Sequence, residues 1–259
     1  MRLPRSSARA YLRAVLGERL VVLADAHLGA TPPEVEGGLL AFLDRAPCLG
    51  DALLINGDLF DFWFSYARVI PRHGFHVAAA LSRLRRVMPI VMVGGNHDRW
   101  DAGFWRDDLG VQFEPVRARF AVGTRRVLAV HGDGLNEQRW SSALLHRVIS
   151  HPATAAVYRS LHPDRGFSIV ERLAPALGDK GQGEVALREA EARQLAWAGR
   201  MLRDDDAADL LIMGHTHRPA LTELAGGKWY LNPGAWFDGY RYAIVTPTGA
   251  ELRQFEPGG

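Results

Sequence analysis

Five short apolar runs in this chain each stop at a turn bearing Asp, Asn or His, and that repetition limits the fold more than any other feature. Leu20–Ala24 runs into Asp25-Ala-His27, and Ala52–Ile55 into Asn56-Gly-Asp58. Pro89–Val93 leads to Gly94-Gly-Asn-His-Asp98, Val127–Val130 to His131-Gly-Asp133, and Asp209–Met213 to Gly214-His-Thr-His217. Short aliphatic runs bounded by glycine and polar residues read as buried strands. A carboxylate or imidazole just past such a strand reaches into the crevice where α/β sheets bind ligands. Asp58 by itself reads better as the cap of a following helix. With four other strand ends finishing in the same donor chemistry, it becomes the centre of a metal site.

The spacing of these ends predicts the architecture. From Asp25 to Asp58 is 33 residues, from Asp58 to Asn96 is 38, and from Asn96 to His131 is 35. Intervals of that length suit repeated strand–helix–strand units. Leu39 to Leu43 reads as part of the first helix, after the Pro32-Pro33 break, and Val77, Leu81 and Leu84 as one face of the second. Leu231 to Trp236 and Arg241 to Val245 read as closing strands without ligands. From His131 to His215 the interval is 84, so residues 136–203 form an insertion. Helical spacing recurs there at Trp140, Leu144, Val148 and Ile149, at Ile169, Val170, Leu173 and Leu177, and at Leu187, Ala190, Trp197 and Met201. Because the insertion leaves the chain directly after a ligand-type residue, it is expected to cover the site as a helical cap within a single domain spanning 1–259. A plain helical elaboration of the core is the competing reading.

Composition narrows the partners. A net charge of +2 gives little reason to expect nucleic-acid binding. Of 31 basic residues only Lys180 and Lys228 are lysines; arginine's planar fork suits phosphate, although a GC-rich coding background explains most of the bias. Residues 64–88 carry Arg68, Arg72, Arg83, Arg85 and Arg86 with no carboxylate, which reads either as a solvated basic face or as a cationic rim for an anionic substrate. Cys48 stands alone, so no internal disulfide forms and a cytoplasmic setting is expected. No stretch approaches the ~18 apolar residues of a membrane span. Residues 1–19, with Arg2, Arg5, Arg9, Arg13 and Arg19, read as a basic helix that docks on the core or lies peripherally on an anionic membrane surface.

Asp25, His27, Asp58, Asn96, His131, His215 and His217 form an oxygen and nitrogen donor set without thiolate, which suits Mn, Fe or Zn. In an extended segment residues i and i+2 face one side, so Asp25 and His27 can reach one ion, and His215 and His217 share the same relation. Seven ligands exceed one tetrahedral ion, so two divalent ions sharing a carboxylate is the economical expectation, with Asp58 as the bridge. Such a pair activates water and neutralises phosphoryl oxygens. His97 beside Asp98 looks like an imidazole held by a carboxylate.

Taken in order, Asp-x-His, Gly-Asp-x-x-Asp, Gly-Asn-His-Asp, His-Gly-Asp and Gly-His-Thr-His resemble the calcineurin-like metallophosphoesterase superfamily over roughly Leu20 to Val245. The resemblance implies a two-sheet α/β sandwich flanked by helices, with metals at the strand ends. It implies one ion on Asp25, His27, Asp58 and His217 and a second on Asp58, Asn96, His131 and His215. His97 would contact the transferred phosphoryl group or protonate the leaving oxygen, with Asp98 orienting it. Within the superfamily, Gly57 to Trp63, His131 to Leu135 and Gly214 to Pro219 are most similar to the UDP-2,3-diacylglucosamine diphosphatases of lipid A synthesis, whose helical insertion contacts acyl chains. That subfamily usually has Arg after the Asn, where this chain has His97. The resemblance thus implies a hydrolase of a lipid-linked nucleotide that releases UMP and the acylated sugar phosphate. The alternatives are a phosphodiesterase or phosphatase of a small soluble substrate, or a non-catalytic metal-binding scaffold; the complete ligand set speaks against the last. Arg139, Arg147, Arg159 and Arg165 in the insertion are the candidates for holding the diphosphate.

Overall fold

The computed structural model describes residues 15–66, 68–98, 100–133, 152–177, 184–204 and 208–258. Two sheets face each other. The first contains β1 (Leu20–Leu23), β2 (Ala52–Asn56), β3 (Ile90–Val93), β4 (Gln112–Glu114), β10 (Arg241–Val245) and β11 (Ala250–Gln254), in the order β11-β10-β1-β2-β3-β4. The second contains β5 (Arg117–Val122), β6 (Arg125–Val130), β7 (Leu210–Ile212), β8 (Ala220–Leu224) and β9 (Lys228–Asn232), in the order β5-β6-β7-β9-β8. Strands β1 to β4 run parallel, as do β6, β7 and β9.

Period-two alternation decides which side chains fill which layer. Leu20, Val22, Ala52, Leu54, Val91 and Val93 point inward and meet Phe120, Val127, Ala129, Leu210, Ile212 and Leu231 of the opposite sheet. The intervening Val21, Leu23, Leu53, Ile55, Ile90 and Met92 point outward against α1 (Pro33–Leu49) and α2 (Phe75–Leu84), where Leu39, Phe42, Val77, Leu81 and Leu84 are buried. Pro33 stands at the start of α1, where its missing N–H costs nothing. Strands buried on both faces read as continuous apolar runs, which is why they were legible.

Three expectations need correction. The 35-residue interval from Asn96 to His131 holds no α-helical crossover among its described residues. A single wide helical turn (Phe104–Asp108) leads to β4, and the β5–β6 hairpin then carries the chain into the second sheet. Residues 15–19, the end of the expected basic helix, are not helical: Val15 bridges Ala121, the Leu16 N–H donates to Ala121 O, and Gly17 turns the chain. Residues 1–14 lie outside the described residues, as does the expected helix around Trp140 to Ile149. The rest of the expected insertion forms α3 (Pro152–Arg159), α4 (Pro163–Leu177) and α5 (Glu184–Asp204). Helix α5 is a layer of the sandwich itself, with Ala198 and Leu202 packed on Leu128, Leu211 and Tyr230. No helix of the described residues is long and apolar enough to cross a membrane.

Candidate metal centre

The ends of β1, β2, β3, β6 and β7 open at one edge of the sandwich, and the backbone there is strained. Asp25, His27, Asp58, His215 and His217 all take left-handed conformations, with φ of 54°, 45°, 51°, 69° and 60°. Among the described residues only Ala102 and Tyr240 are other non-glycines with positive φ. Such conformations cost about 1–3 kcal/mol each and persist only where the surroundings over-determine them. The extended i, i+2 reading of Asp25/His27 and His215/His217 is therefore wrong: all four residues are left-handed, Asp25 and His27 gather with His217, and His215 turns instead to Asp58 and His131. The restraint is visible. The N–H groups of Ala26 and His27 donate to Asp58 O, and the His215 N–H donates to the Asp25 carboxylate at 3.1 Å. Gly95 passes so close to Asp58 that a Cβ there would lie 2.0 Å from Oδ1, so only glycine fits.

Two triads result. The ligand atoms of Asp25, His27 and His217 lie within 4.8 Å of one another, and so do those of Asp58, His131 and His215. The His27 and His217 Nε2 atoms face each other at 3.2 Å. Asp58 lies between the sets, its Oδ2 2.9 Å from His131 Nε2 and 3.9 Å from His27 Nε2. His131 Nδ1 lies 2.9 Å from the Asn56 carbonyl, which can only accept, so Nδ1 carries a proton and Nε2 is the nitrogen turned toward Asp58, where an ion would be held. Asn96 Oδ1 is buried without a partner among the described residues, as expected of an oxygen reserved for a cation. This donor set fits divalent ions of the Mn, Fe or Zn kind. Asp58 also forms a triad with His27 and His97.

Charge is concentrated here. Burial works against an ionised Asp58, yet His131 beside it holds the carboxyl well below its usual range. Burial likewise opposes charge on His131, and Asp58 nevertheless lifts it well above an ordinary histidine. His215, buried beside His131, is pushed down to about 4 and stays neutral. Asp98 is raised to about 6, by burial first and by Asp58 second.

The structure gives Asp98 a different task from the one expected. Its Oδ2 accepts from the Leu59 N–H at 2.7 Å and its Oδ1 from the Gly95 N–H at 2.8 Å, so it pins the β2 and β3 loops together and does not orient His97. His97 Nδ1 instead faces the Asp61 carbonyl, and the Asp61 carboxylate lies 3.8 Å from the same nitrogen. Asp61 is the last residue of the Gly-Asp-x-x-Asp motif, and that position was the signal for it. Asn56 was also missed; its Nδ2 donates to Val130 O at 3.0 Å, joining the β2 and β6 ends across the sheets. Phe237, 37% exposed, sets its ring edge-on to His27 and His217, and nothing in the sequence pointed to it. Of the candidate arginines, Arg139 and Arg147 lie outside the described residues. Arg159 is exposed, with its guanidinium over the Phe64 ring at 5.5 Å, and Arg165 is exposed on α4.

Two His/Asp triads at the strand ends of a two-sheet α/β sandwich are the arrangement of a metal-dependent hydrolase. Residues 18–219 match the profile described as Calcineurin-like phosphoesterase, and the chain belongs to that family. More particular relatives carry the name UDP-2,3-diacylglucosamine hydrolase. The protein of Sodalis glossinidius is 28% identical over 92% of this chain and 98% of its own length. That of Serratia proteamaculans is 29% identical over 90% and 97%, and that of Escherichia coli O7:K1 is 28% identical over 90% and 97%.

Proposed function

We propose that this protein hydrolyses the pyrophosphate of UDP-2,3-diacylglucosamine, releasing UMP and the acylated sugar phosphate. The observation that carries the reading is the pair of triads meeting at Asp58, taken with relatives of that name over nearly the whole chain. Asp25, His27, Asp58 and His217 would hold one ion, and Asp58, Asn96, His131 and His215 the other, with Mn the proposed metal. When bound, such a pair supplies an activated water and neutralises the phosphoryl oxygens. The protein's own part is orientation and proton transfer. The Asp61 carbonyl fixes the His97 proton on Nδ1, so that a second proton on Nε2 can pass to the leaving oxygen. Helices α3 and α4 reach the centre through the loop after Asp61, where Tyr158 packs on Phe64 and Phe167 on Phe62. These contacts support a reading in which the insertion would cover the acyl chains as a cap. A cytoplasmic protein in peripheral contact with the inner membrane surface is the setting such a substrate requires.

A second reading, a soluble phosphodiester substrate, is favoured by one feature, the histidine at His97 where the resembling diphosphatases usually carry arginine. Metal-stripped protein, reloaded with Mn²⁺, should be offered UDP-2,3-diacylglucosamine and a chromogenic phosphodiester, and the products weighed by mass spectrometry. UMP release that depends on added metal is expected. Turnover of the chromogenic ester alone would replace the first reading with the second, and activity in stripped protein would overturn both.

A further inference from the structure

Behind the metal centre lies a polar cluster that ligation and proton transfer do not use. Gln194, on α5, is wholly buried. Its Nε2 donates to Gly214 O at 2.9 Å, and its Oε1 accepts from Thr216 Oγ1 at 2.9 Å and from the Tyr230 hydroxyl at 3.0 Å. Gly214 precedes His215, and Thr216 separates His215 from His217. The same carbonyl of Gly214 accepts from the Thr216 N–H at 2.8 Å and from Asn232 Nδ2 at 3.1 Å. Asn232 Nδ2 also donates to Thr216 Oγ1 at 3.0 Å. A second ligand loop touches the same amide. Gly132, directly after His131, lies so near that a Cβ there would stand 2.6 Å from Gln194 Nε2. One turn earlier on α5, Glu191 Oε2 accepts from Arg218 Nε at 2.9 Å, holding the far side of His217.

The left-handed turns at His215 and His217 are costly, and hydrogen bonds from outside the loop must maintain them. Gln194 is built for that: a donor and an acceptor on one planar group, both satisfied, at fixed separation on a rigid helix. We propose that Gln194 is a positioning residue for the metal centre, setting the turn that aims His215 at one triad and His217 at the other while packing against the His131 loop. The inference rests on the two-ion reading above. It also gives α5, the last helix of the insertion, a physical grip on the ligand loops.

The test uses the full chain stripped of metal and titrated with Mn²⁺ alone, read by calorimetry and by electron paramagnetic resonance, with a thermal melt of each metal-free variant. Gln194→Met keeps the volume and removes both hydrogen-bonding groups. Its Mn²⁺ affinity should fall about 10–100-fold, the usual cost of losing an outer-layer partner. The exchange-coupled signal of paired ions should give way to that of single ions. Tyr230→Phe removes one partner of Gln194 and no bond to the loop, so it should lower the melting temperature and leave Mn²⁺ affinity unchanged. Thr216→Val should weaken Mn²⁺ binding as Gln194→Met does, and it decides the matter if Gln194→Met does not fold. Wild-type affinity and an unaltered coupled signal in the folded Gln194→Met or Thr216→Val variant would overturn the proposal, as would equal weakening in Tyr230→Phe. Absence of paired Mn²⁺ in the wild type would instead remove the two-ion reading beneath it.

Discussion

Asp58 and His97 stand beside each other in the site, yet their contacts assign them different losses. Asp58 reaches ligands of both triads and also accepts from the His97 N–H at 3.1 Å, so it holds metal and loop together. Asp58→Ala should remove metal and turnover in parallel, measured by elemental analysis and initial rates on the same sample; retained metal with retained activity would contradict the bridge. His97 presents a 35% exposed side chain, held at Nδ1 by Asp61. His97→Ala should keep near-normal metal content and lose about 10²–10⁴ in kcat, the usual share of a general acid. Because His97 also lies within reach of His27 and Asp58, loss of metal in step with rate would make it a ligand instead. The candidate ligands could be singled out because each lies a few residues past an apolar strand. The partner of His97 was not readable, since Asp98 and Asp61 are both aspartates of the sequence motifs and only three-dimensional placement turns Asp98 toward backbone N–H groups.

At the scale of elements, strands announced themselves where both faces are buried and disappeared where one face is wet. Strands β1, β2, β3, β6 and β7 are mostly aliphatic runs, whereas β4, β8 and β11 lie at sheet edges and mix polar residues into the run, as in Gln112-Phe-Glu114. The junction of β6 and β7 is also pinned by a pair that spacing did not reveal. The Asp209 carboxylate accepts from the Arg126 backbone N–H and from its guanidinium, each at 2.9 Å. These hydrogen bonds hold Asp209 below the usual carboxylate range. A carboxyl whose pKa falls on folding stabilises the fold above its unfolded pKa of about 3.9, and that contribution is lost as pH drops through the folded value. The side chains are 42% and 35% exposed, so solvent screening limits the effect to about 0.5–1 kcal/mol. In urea denaturation, Asp209→Asn should be less stable than wild type by that amount at pH 7, with the difference closing below the folded pKa. A difference as large at pH 2.5 as at pH 7 would show that charge is not its origin.

For the whole molecule, the spacing of motifs gave the number of ligand-bearing strands but hid how they are shared between sheets. A 35-residue interval accommodates a helical crossover or, as here, a short strand and a hairpin that changes sheets. Periodicity does not distinguish these, because both bury alternate residues of the next strand. The insertion divides for a similar reason: α5 shares the helical spacing of α3 and α4 but packs on the second sheet, whereas α3 and α4 meet the loop after Asp61. There Phe64 lies 4.3 Å from Tyr158, Phe62 lies 5.8 Å from Phe167, and Gly166 leaves room for the Tyr66 and Tyr158 hydroxyls. These aromatic contacts join α3 and α4 to the loop after Asp61 and offer apolar surface beside it. If acyl chains lie there, each buried methylene contributes about 0.8 kcal/mol, so four of them are worth roughly 3 kcal/mol, or about 10²-fold. Comparing kcat/KM for UDP-2,3-diacylglucosamine with that for its deacylated counterpart should therefore show a loss of at least that size, chiefly in KM. Tyr158→Ala should narrow the ratio by weakening the acylated substrate while leaving the deacylated one nearly unchanged. Equal kcat/KM for the two substrates would mean that α3 and α4 do not serve the acyl chains and that the centre acts on a small soluble ester.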